Sequence, residues 1–204
     1  MNDIHIILDI DQTLVDSMEK YRWFMEKKNV RVPDYFLPEM AIWERVGLKE
    51  FLEYLDKNVK YISIWTNGSE DWLKFVVHKI LSKYISPKRF SMLLSVKYSV
   101  TRSVNGVNAL VKDINLVIKK INNPKITLKN TVLIDDNIYN CLYNKSNTLP
   151  IKKFVITKEL NEPKRSESFF YIKQILEILK KTKDVRQTLT NVYSNIESYD
   201  NLFG

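Results

Sequence analysis

The sequence predicts an α/β fold in which helices flank a central parallel sheet and a small antiparallel β insertion interrupts the alternation. Four short apolar runs, rich in β-branched residues and with little polar alternation, are typical of strands buried on both faces of a parallel sheet. Amphipathic helical patterns lie between these runs, and alternating strands and helices favour right-handed crossover connections. The predicted strands cover residues 4–8, 61–65, 131–134 and 154–156.

Helices are predicted where apolar residues recur at helical spacing. Residues 48–55 place leucine or phenylalanine at positions 48, 51, 52 and 55. Residues 70–84 carry a similar apolar face behind Ser69, which is a suitable N-cap. Residues 168–189 predict an amphipathic helix that closes the domain.

The stretch MLLSVKYSVTRSVNGVNALV at residues 92–111 departs from this alternation. It contains several β-rich runs, and Asn105-Gly106 is a strong signal for a two-residue hairpin turn. We therefore predict an antiparallel β insertion over about residues 85–111, within a single domain that spans residues 1–190. Residues 191–204 are predicted to form a polar C-terminal tail.

The composition limits the classes of site and of partner. The 204 residues include one cysteine, Cys141, and two histidines, so the sequence argues against an internal disulfide and a thiolate or imidazole zinc site. No apolar stretch approaches the roughly 18 residues of a spanning helix, so we expect a soluble protein of the cytoplasm or nucleus, without a membrane partner.

A net charge of +8 favours anionic partners, both nucleic acid and phosphopeptides. The abundance of Lys, Asn and Ile is typical of an AT-rich coding sequence, such as that of a virus or parasite.

Polar side chains follow three of the predicted strands, at the point where each strand ends. They are Asp9 and Asp11 after the first strand, Thr66 and Asn67 after the second, and Asp135 and Asp136 after the third. Because ligands bind at the carboxyl ends of strands in open α/β sheets, we expect these side chains at one edge. A lone aspartate after a strand often caps the next helix, but capping does not explain two pairs of carboxylates. Clustered carboxylates repel one another unless a cation lies among them or some of them hold protons, and Mg²⁺ is the cation that such oxygen ligands favour.

The stretch DIDQT at residues 9–13 resembles the first motif of the haloacid dehalogenase superfamily, whose phosphatases use an aspartate nucleophile. Three later stretches resemble the remaining motifs of the branch that dephosphorylates the carboxy-terminal domain of RNA polymerase II: IWTNG (64–68), LVKDI (110–114) and VLIDDN (132–137). Further stretches resemble other elements of that branch: ERVGLKEFLEYL (44–55), LPIKKF (149–154) and KDVRQTL (183–189).

This resemblance covers roughly residues 4–190 and implies a Rossmann-like haloacid dehalogenase fold. Two departures from the pattern of the branch are visible. Val46 stands where the branch has a proline, and residues 85–108, where its members shape the substrate pocket, match poorly. The resemblance therefore carries over to catalysis more firmly than to the identity of the substrate.

The resemblance also implies roles for individual residues. Asp9 would be the nucleophile that forms an aspartyl phosphate, and Asp11 would act as general acid and then as general base. Mg²⁺ would be held by Asp9, by the backbone carbonyl of Asp11 and by Asp136, with Asp135 close behind. The phosphoryl group would contact Thr66, Asn67 and Lys112, of which Lys112 would also position the nucleophile. Thr13 would support the loop.

The sequence thus predicts a Mg²⁺-dependent phosphoric monoester hydrolase, acting on phosphoserine or phosphothreonine in a protein such as the RNA polymerase tail. Two alternatives stay open. The first is a phosphatase for a nucleic-acid end or a small phosphate ester, which the basic charge permits. The second is a catalytically silent adaptor that binds phosphopeptides, against which the retained acidic and basic motif residues argue.

Overall fold

The computed structural model describes residues 3–26, 30–157 and 167–194. The elements of the first half are β1 (His5–Leu8), β2 (Val15–Glu19), α1 (Lys20–Glu26), β3 (Tyr35–Phe36), β4 (Met40–Glu44), α2 (Leu48–Asn58), β5 (Tyr61–Trp65) and α3 (Glu70–Phe75). The second half contains β6 (Phe90–Leu94), β7 (Val100–Val104), β8 (Val107–Val111), α4 (Ile114–Ile121), β9 (Thr131–Asp135), α5 (Ile138–Tyr143), β10 (Thr148–Pro150), α6 (Glu167–Leu179) and α7 (Val185–Ser194).

A five-stranded parallel sheet in the order β10-β9-β1-β5-β6 forms the centre of the molecule. The register places Leu8 of β1 beside Ile64 of β5 and Ile134 of β9, so these three strands end together. Helices flank this sheet, and the predicted fold class is confirmed. The predicted strands at 4–8, 61–65 and 131–134 all belong to this sheet.

The apolar faces predicted for the two early helices are the faces that pack into the core. In α2 the buried residues are Leu48, Phe51, Leu52 and Leu55. The segment predicted as one helix over 70–84 is α-helical only to Phe75, and a π-helical segment, Val76–Ile80, then a short 3₁₀ turn, Leu81–Lys83, continue it. Ser69 caps it as predicted, accepting a hydrogen bond from the Trp72 backbone N–H at 3.1 Å.

The strand predicted at residues 154–156 is wrong, because the last strand of the sheet is β10. The backbone of the predicted segment bonds elsewhere: the Phe154 N–H donates to the Gln12 carbonyl, and the Ile156 N–H donates to the Asp16 carboxylate. The side chains of Phe154 and Ile156 pack in a separate apolar cluster with Met18 of β2 and Trp43 of β4. These two strands and β3 form a second, antiparallel sheet. Their apolar character therefore reflects packing outside the central sheet.

The predicted antiparallel insertion is present as a hairpin, but it does not extend over the whole of residues 85–111. β7 and β8 pair antiparallel, and Asn105 and Gly106 turn the chain with φ of 50° and 80°, both in the left-handed region. β6 instead joins the central sheet as its edge strand, parallel to β5. A three-stranded antiparallel sheet in the order β2-β4-β3 was not predicted.

The predicted closing helix over 168–189 is in fact two helices, α6 and α7. Asp184 separates them, because its side chain accepts a hydrogen bond from the Arg186 backbone N–H at 3.0 Å and so begins a new helix. α7 extends to Ser194, so residues 191–194 of the predicted tail are helical, and the rest of that tail lies outside the described residues. Within the described ranges, the helices are too short or too polar to cross a membrane.

Candidate active site

The candidate site lies at the carboxyl edge of the central sheet, where β1, β5 and β9 end together. Asp9 follows β1, Thr66 follows β5, and Asp135 and Asp136 end and follow β9. The end of β8 delivers Lys112 to the same place. The convergence that the sequence predicted is therefore present for these five residues.

Lys112 is the buried cation of the site, and 1% of its side chain is exposed. Its ammonium group contacts the Asp9 carboxylate and lies 2.7 Å from Asp135 Oδ2. Burial lowers the pKa of Lys112, but the charges of Asp135 and Asp9 outweigh that effect and raise it above its ordinary value. Lys112 therefore stays protonated.

Two asparagines hold the backbone of Lys112 against α5. The Lys112 N–H donates to Asn140 Oδ1 at 2.9 Å, and Asn144 Nδ2 donates to the Lys112 carbonyl at 2.7 Å. Asn140 Nδ2 also donates to Asp135 Oδ2 at 3.0 Å. Both asparagines are buried, so these bonds are shielded from competing water.

Three buried carboxylates form an acidic cluster around one lysine. Asp9, Asp135 and Asp136 each offer an oxygen, and these oxygens lie within 4.8 Å of one another. Burial, and then the charges of the neighbouring aspartates, raise the pKa of Asp9 against the opposing charge of Lys112. Burial and the nearby Asp135 likewise raise the pKa of Asp136 to about 6. The single charge of Lys112 does not neutralise three carboxylates, so a divalent cation held here would offset the remaining negative charge.

The donor chemistry of this cluster fits Mg²⁺, because every donor is a carboxylate oxygen. Asp135 is already bonded through both oxygens: Oδ1 accepts from the Asn137 N–H at 2.8 Å, and Oδ2 contacts Lys112 and Asn140. Asp136 has one described bond, from Thr13 Oγ1 to Oδ1 at 3.0 Å. Asp9 and Asp136 are thus the better ligands, with Asp135 orienting its neighbours. Besides its predicted support of the loop, Thr13 donates a hydrogen bond to the candidate metal ligand Asp136.

The Asp11 carboxylate turns away from the acidic cluster toward β5 and α3. Its Oδ2 accepts from Thr66 Oγ1 at 2.7 Å, and its Oδ1 accepts from Trp72 Nε1 at 2.9 Å. Burial raises the pKa of Asp11, although these two hydrogen bonds oppose the increase. A carboxyl group with a raised pKa, beside the predicted nucleophile, suits acid and base catalysis.

Asn67 and Trp72 each make a contact that the sequence did not predict. The Asn67 side chain accepts from Ser99 Oγ at 2.6 Å, next to the hairpin, and its contact with a phosphoryl group stays a prediction. Trp72 contacts Asp11, but it was not predicted as a site residue, because a tryptophan in an amphipathic helix is usually a packing residue. Its position three residues after Ser69, in the first turn after the Thr66 loop, is the signal that could have identified it.

Comparison with known proteins identifies relatives of this chain. Residues 4–186 match the family model described as NLI interacting factor-like phosphatase. The CTD phosphatase-like protein 355R of Invertebrate iridescent virus 3 is 30% identical over 163 residues, which cover 73% of this chain and 83% of that protein.

Solved structures of the RNA polymerase II CTD phosphatase Fcp1 are similar in fold. A variant of the fission yeast protein bound to beryllium fluoride has a TM-score of 0.50 and 13% identity, covering 95% of this chain and 63% of that chain. A second Fcp1 structure has a TM-score of 0.49 and 15% identity, covering 97% of this chain and 55% of that one. The chain thus spans less than two thirds of these structural relatives. The family match extends over most of the sequence and includes every motif at the site, so the chain belongs to the NLI interacting factor-like phosphatase family.

Proposed function

We propose that this protein is a Mg²⁺-dependent phosphatase that hydrolyses phosphate monoesters through an aspartyl phosphate on Asp9. The observation that carries this proposal is the position of Lys112, whose buried ammonium group joins Asp9 to Asp135 at the carboxyl edge of the sheet. That contact orients Asp9, favours its ionised form and places positive charge where a phosphate dianion would approach. The family to which the chain belongs supports the same activity.

In the first step, a carboxylate oxygen of Asp9 attacks phosphorus and the bond from phosphorus to the ester oxygen breaks. Asp11 gives its proton to that departing oxygen, which leaves as an alcohol. The products of this step are the alcohol, the aspartyl phosphate and an ionised Asp11. Lys112 stays protonated throughout and offsets the charge of the phosphoryl oxygens.

In the second step, water attacks the phosphorus of the aspartyl phosphate and Asp11 takes a proton from that water. The bond from phosphorus to Asp9 breaks, which releases inorganic phosphate and restores the Asp9 carboxylate. Asp11 is again protonated and ready for the next ester. Burial, which raises the pKa of Asp11, helps it to hold that proton between turnovers.

Asp9 and Asp136 would hold the Mg²⁺, together with the backbone carbonyl of Asp11. When bound, the ion supplies positive charge that polarises the phosphoryl group. Thr13 keeps Asp136 oriented through its hydroxyl group. In this proposal Thr66 and Asn67 lie beside the phosphoryl oxygens, and Thr66 also contacts Asp11.

We infer that the substrate is a phosphoserine or phosphothreonine in a protein. The support comes from relatives: protein 355R is CTD phosphatase-like, and Fcp1 is an RNA polymerase II CTD phosphatase. The net charge of +8 is compatible with acidic phosphopeptides. The polymerase tail is one protein that would supply such a substrate.

Turnover of para-nitrophenyl phosphate with and without Mg²⁺ tests the proposed chemistry. Asp9→Asn should lower kcat by at least roughly a thousandfold, because the amide is not a nucleophile. Asp16→Asn is the matched control, because Asp16 is also a buried carboxylate in the same part of the chain. Among the described residues, its hydrogen bonds come from the backbone N–H groups of Ser17 and Ile156. This control should keep activity.

Phosphopeptides tested beside end-phosphorylated oligonucleotides then identify the substrate class. Faster hydrolysis of phosphoserine or phosphothreonine peptides supports a protein phosphatase, whereas faster hydrolysis of oligonucleotides contradicts it. Absence of Mg²⁺-dependent turnover, with phosphopeptide binding retained, would contradict an enzymatic function and support an adaptor.

A further inference from the structure

Both oxygens of the Asp11 carboxylate are held by side-chain donors from outside its own loop. Thr66 Oγ1 lies 2.7 Å from Oδ2, and Trp72 Nε1 lies 2.9 Å from Oδ1. The Thr66 hydroxyl also accepts from the Gly68 N–H at 2.8 Å, which leaves its single proton for Asp11. The two donors together select one orientation of the carboxyl plane.

The Trp72 indole is itself fixed by its surroundings. Its backbone N–H donates to Ser69 Oγ at the start of α3, and its ring stacks on Phe75 with centroids 5.9 Å apart and planes 17° apart. Phe75 in turn meets Tyr35 of the second sheet edge to face. An indole held at its backbone and along one ring face has little freedom to turn its N–H away from Asp11.

Gly68 provides the space that the indole occupies. A Cβ atom at this position would lie 2.5 Å from Trp72 Cδ1 and 3.1 Å from Thr66 Oγ1. Its φ lies outside the left-handed region, so the backbone conformation does not require glycine there. The absence of a side chain is therefore explained by the close approach of Trp72 and Thr66, the two donors to Asp11.

We propose that Trp72 is a positioning residue for proton transfer, whose indole N–H holds Asp11 in the orientation that delivers a proton to the departing ester oxygen. This inference rests on the proposed phosphatase function. The terminal torsion of an aspartate is broad and roughly two-fold, so a single donor at Thr66 leaves the carboxyl plane poorly defined. With the indole N–H removed, fewer encounters place the acidic proton in line with the leaving oxygen.

The dependence of rate on the leaving group tests this role, because only poor leaving groups need a proton as they depart. We expect Trp72→Phe, which keeps a ring against Phe75 and loses the N–H, to lower kcat/KM for phenyl phosphate by roughly tenfold or more. The same variant should change kcat/KM for dinitrophenyl phosphate, whose leaving group departs as a stable anion, by less than about threefold. The kcat/KM value is used because it reports the step in which the ester oxygen leaves.

Trp23→Phe is the matched control. Trp23 packs beside the second sheet, and its indole N–H has no hydrogen-bond partner in the part of the chain that the structure describes. This variant should leave both rates unchanged. The ratio of the two kcat/KM values is also independent of the fraction of folded enzyme, so partial unfolding of Trp72→Phe cannot imitate the expected result.

Equal losses on the two esters, or no loss on either, would overturn the role of Trp72 while leaving the phosphatase function in place. The same Trp72→Phe substitution made in an Asp11→Asn background should have no further selective effect on phenyl phosphate, and a persistent selective effect would also overturn it. Failure of the wild-type protein to hydrolyse either ester would instead contradict the proposed function itself.

Discussion

Lys112 shows how a single side chain can connect parts of the chain that are distant in sequence. Its ammonium group joins the ends of β1 and β9 through Asp9 and Asp135, while its backbone is held to α5 by Asn140 and Asn144. Motif resemblance predicted the lysine and its two aspartates. It did not predict the asparagines, because Asn140 lies within α5 and Asn144 at its C-terminal end, and their buried partners are known only once the chain has folded.

His5 is a second buried group with a measurable consequence, and it lies in the middle of the central sheet. Its ring nitrogens lie 2.8 Å from Ser63 Oγ and 3.2 Å from Thr131 Oγ1, on the two neighbouring strands. Burial lowers the pKa of His5 from 6.5 to about 4. Between these two values the unfolded chain binds a proton that the folded protein does not, so stability is lost as the pH falls through this window.

We expect the free energy of unfolding to include a loss of roughly 2 kcal/mol from His5 between pH 7 and pH 5. Urea denaturation of wild type and His5→Asn at both pH values measures this contribution, which the variant should lack. His78→Asn, which removes the exposed second histidine, should retain it. An identical pH dependence in wild type and His5→Asn would contradict the expectation.

At the scale of elements, the accuracy of the sequence-based prediction follows the burial of each strand. β1, β5 and β9 were predicted because they are buried along almost their whole length and consist mostly of apolar residues, as is typical of central strands. β6, with the sequence FSMLL, lies at the edge of the sheet and exposes alternate residues. This alternation is equally typical of an antiparallel hairpin strand, so the sequence does not distinguish the two. The two-residue β3 carries too little pattern to be predicted, and β2, with the sequence VDSME, mixes polar and apolar residues. The mostly apolar β4, which pairs with both of them, was also not predicted.

Two glycines in turns and loops provide a matched test of backbone and packing effects. A Cβ at Gly106 would meet nothing within 4 Å, but its φ of +80° is strained for alanine. Gly68→Ala meets the opposite situation, since φ is permissive there and the added Cβ collides with Trp72.

We expect Gly106→Ala to lower the free energy of unfolding by about 1 kcal/mol and to leave phosphatase activity intact. Gly68→Ala should lower it by about 1–3 kcal/mol, as overpacking does, and should also reduce activity by displacing the two donors to Asp11. Denaturation curves together with para-nitrophenyl phosphate turnover distinguish the two effects. Equal activity losses in both variants would contradict this assignment.

At the scale of the whole molecule, the site exists only after the sheet has assembled. Asp9 and Asp136 are far apart in sequence and become neighbours because β1 and β9 are adjacent and in register. The strand ends could be predicted to converge from the α/β pattern alone, whereas the turning of Asp11 toward Thr66 and Trp72 could not, because it depends on side-chain packing. Uncompensated carboxylates in the assembled site lower its stability until a cation binds.

Binding of Mg²⁺ should therefore stabilise the whole protein. At a Mg²⁺ concentration ten times the dissociation constant, the gain is about 1.4 kcal/mol, which raises Tm by a few degrees for a domain of this size. Asp136→Asn should have a higher Tm than wild type without Mg²⁺, because repulsion is relieved, and should gain little when Mg²⁺ is added. Thermal melting across a Mg²⁺ titration measures both the Tm without Mg²⁺ and the gain on adding it. Asp16→Asn is the control and should respond as wild type does. A Mg²⁺ response in Asp136→Asn equal to that of wild type would contradict this metal assignment.

The shared register of β1, β5 and β9 determines where the length of this chain can change during evolution. Successive residues of a strand point to opposite faces, so deleting one residue within β1 would move the strand residues that follow to the opposite face and take Asp9 out of register with the ends of β5 and β9. The connections that enter β5 and β9, before Tyr61 and Thr131, lie at the amino edge of the sheet, opposite the site. Insertions and deletions there alter the edge of the sheet opposite the site, so descendants of this sequence can differ in length while Asp9, Thr66 and Asp136 keep their positions.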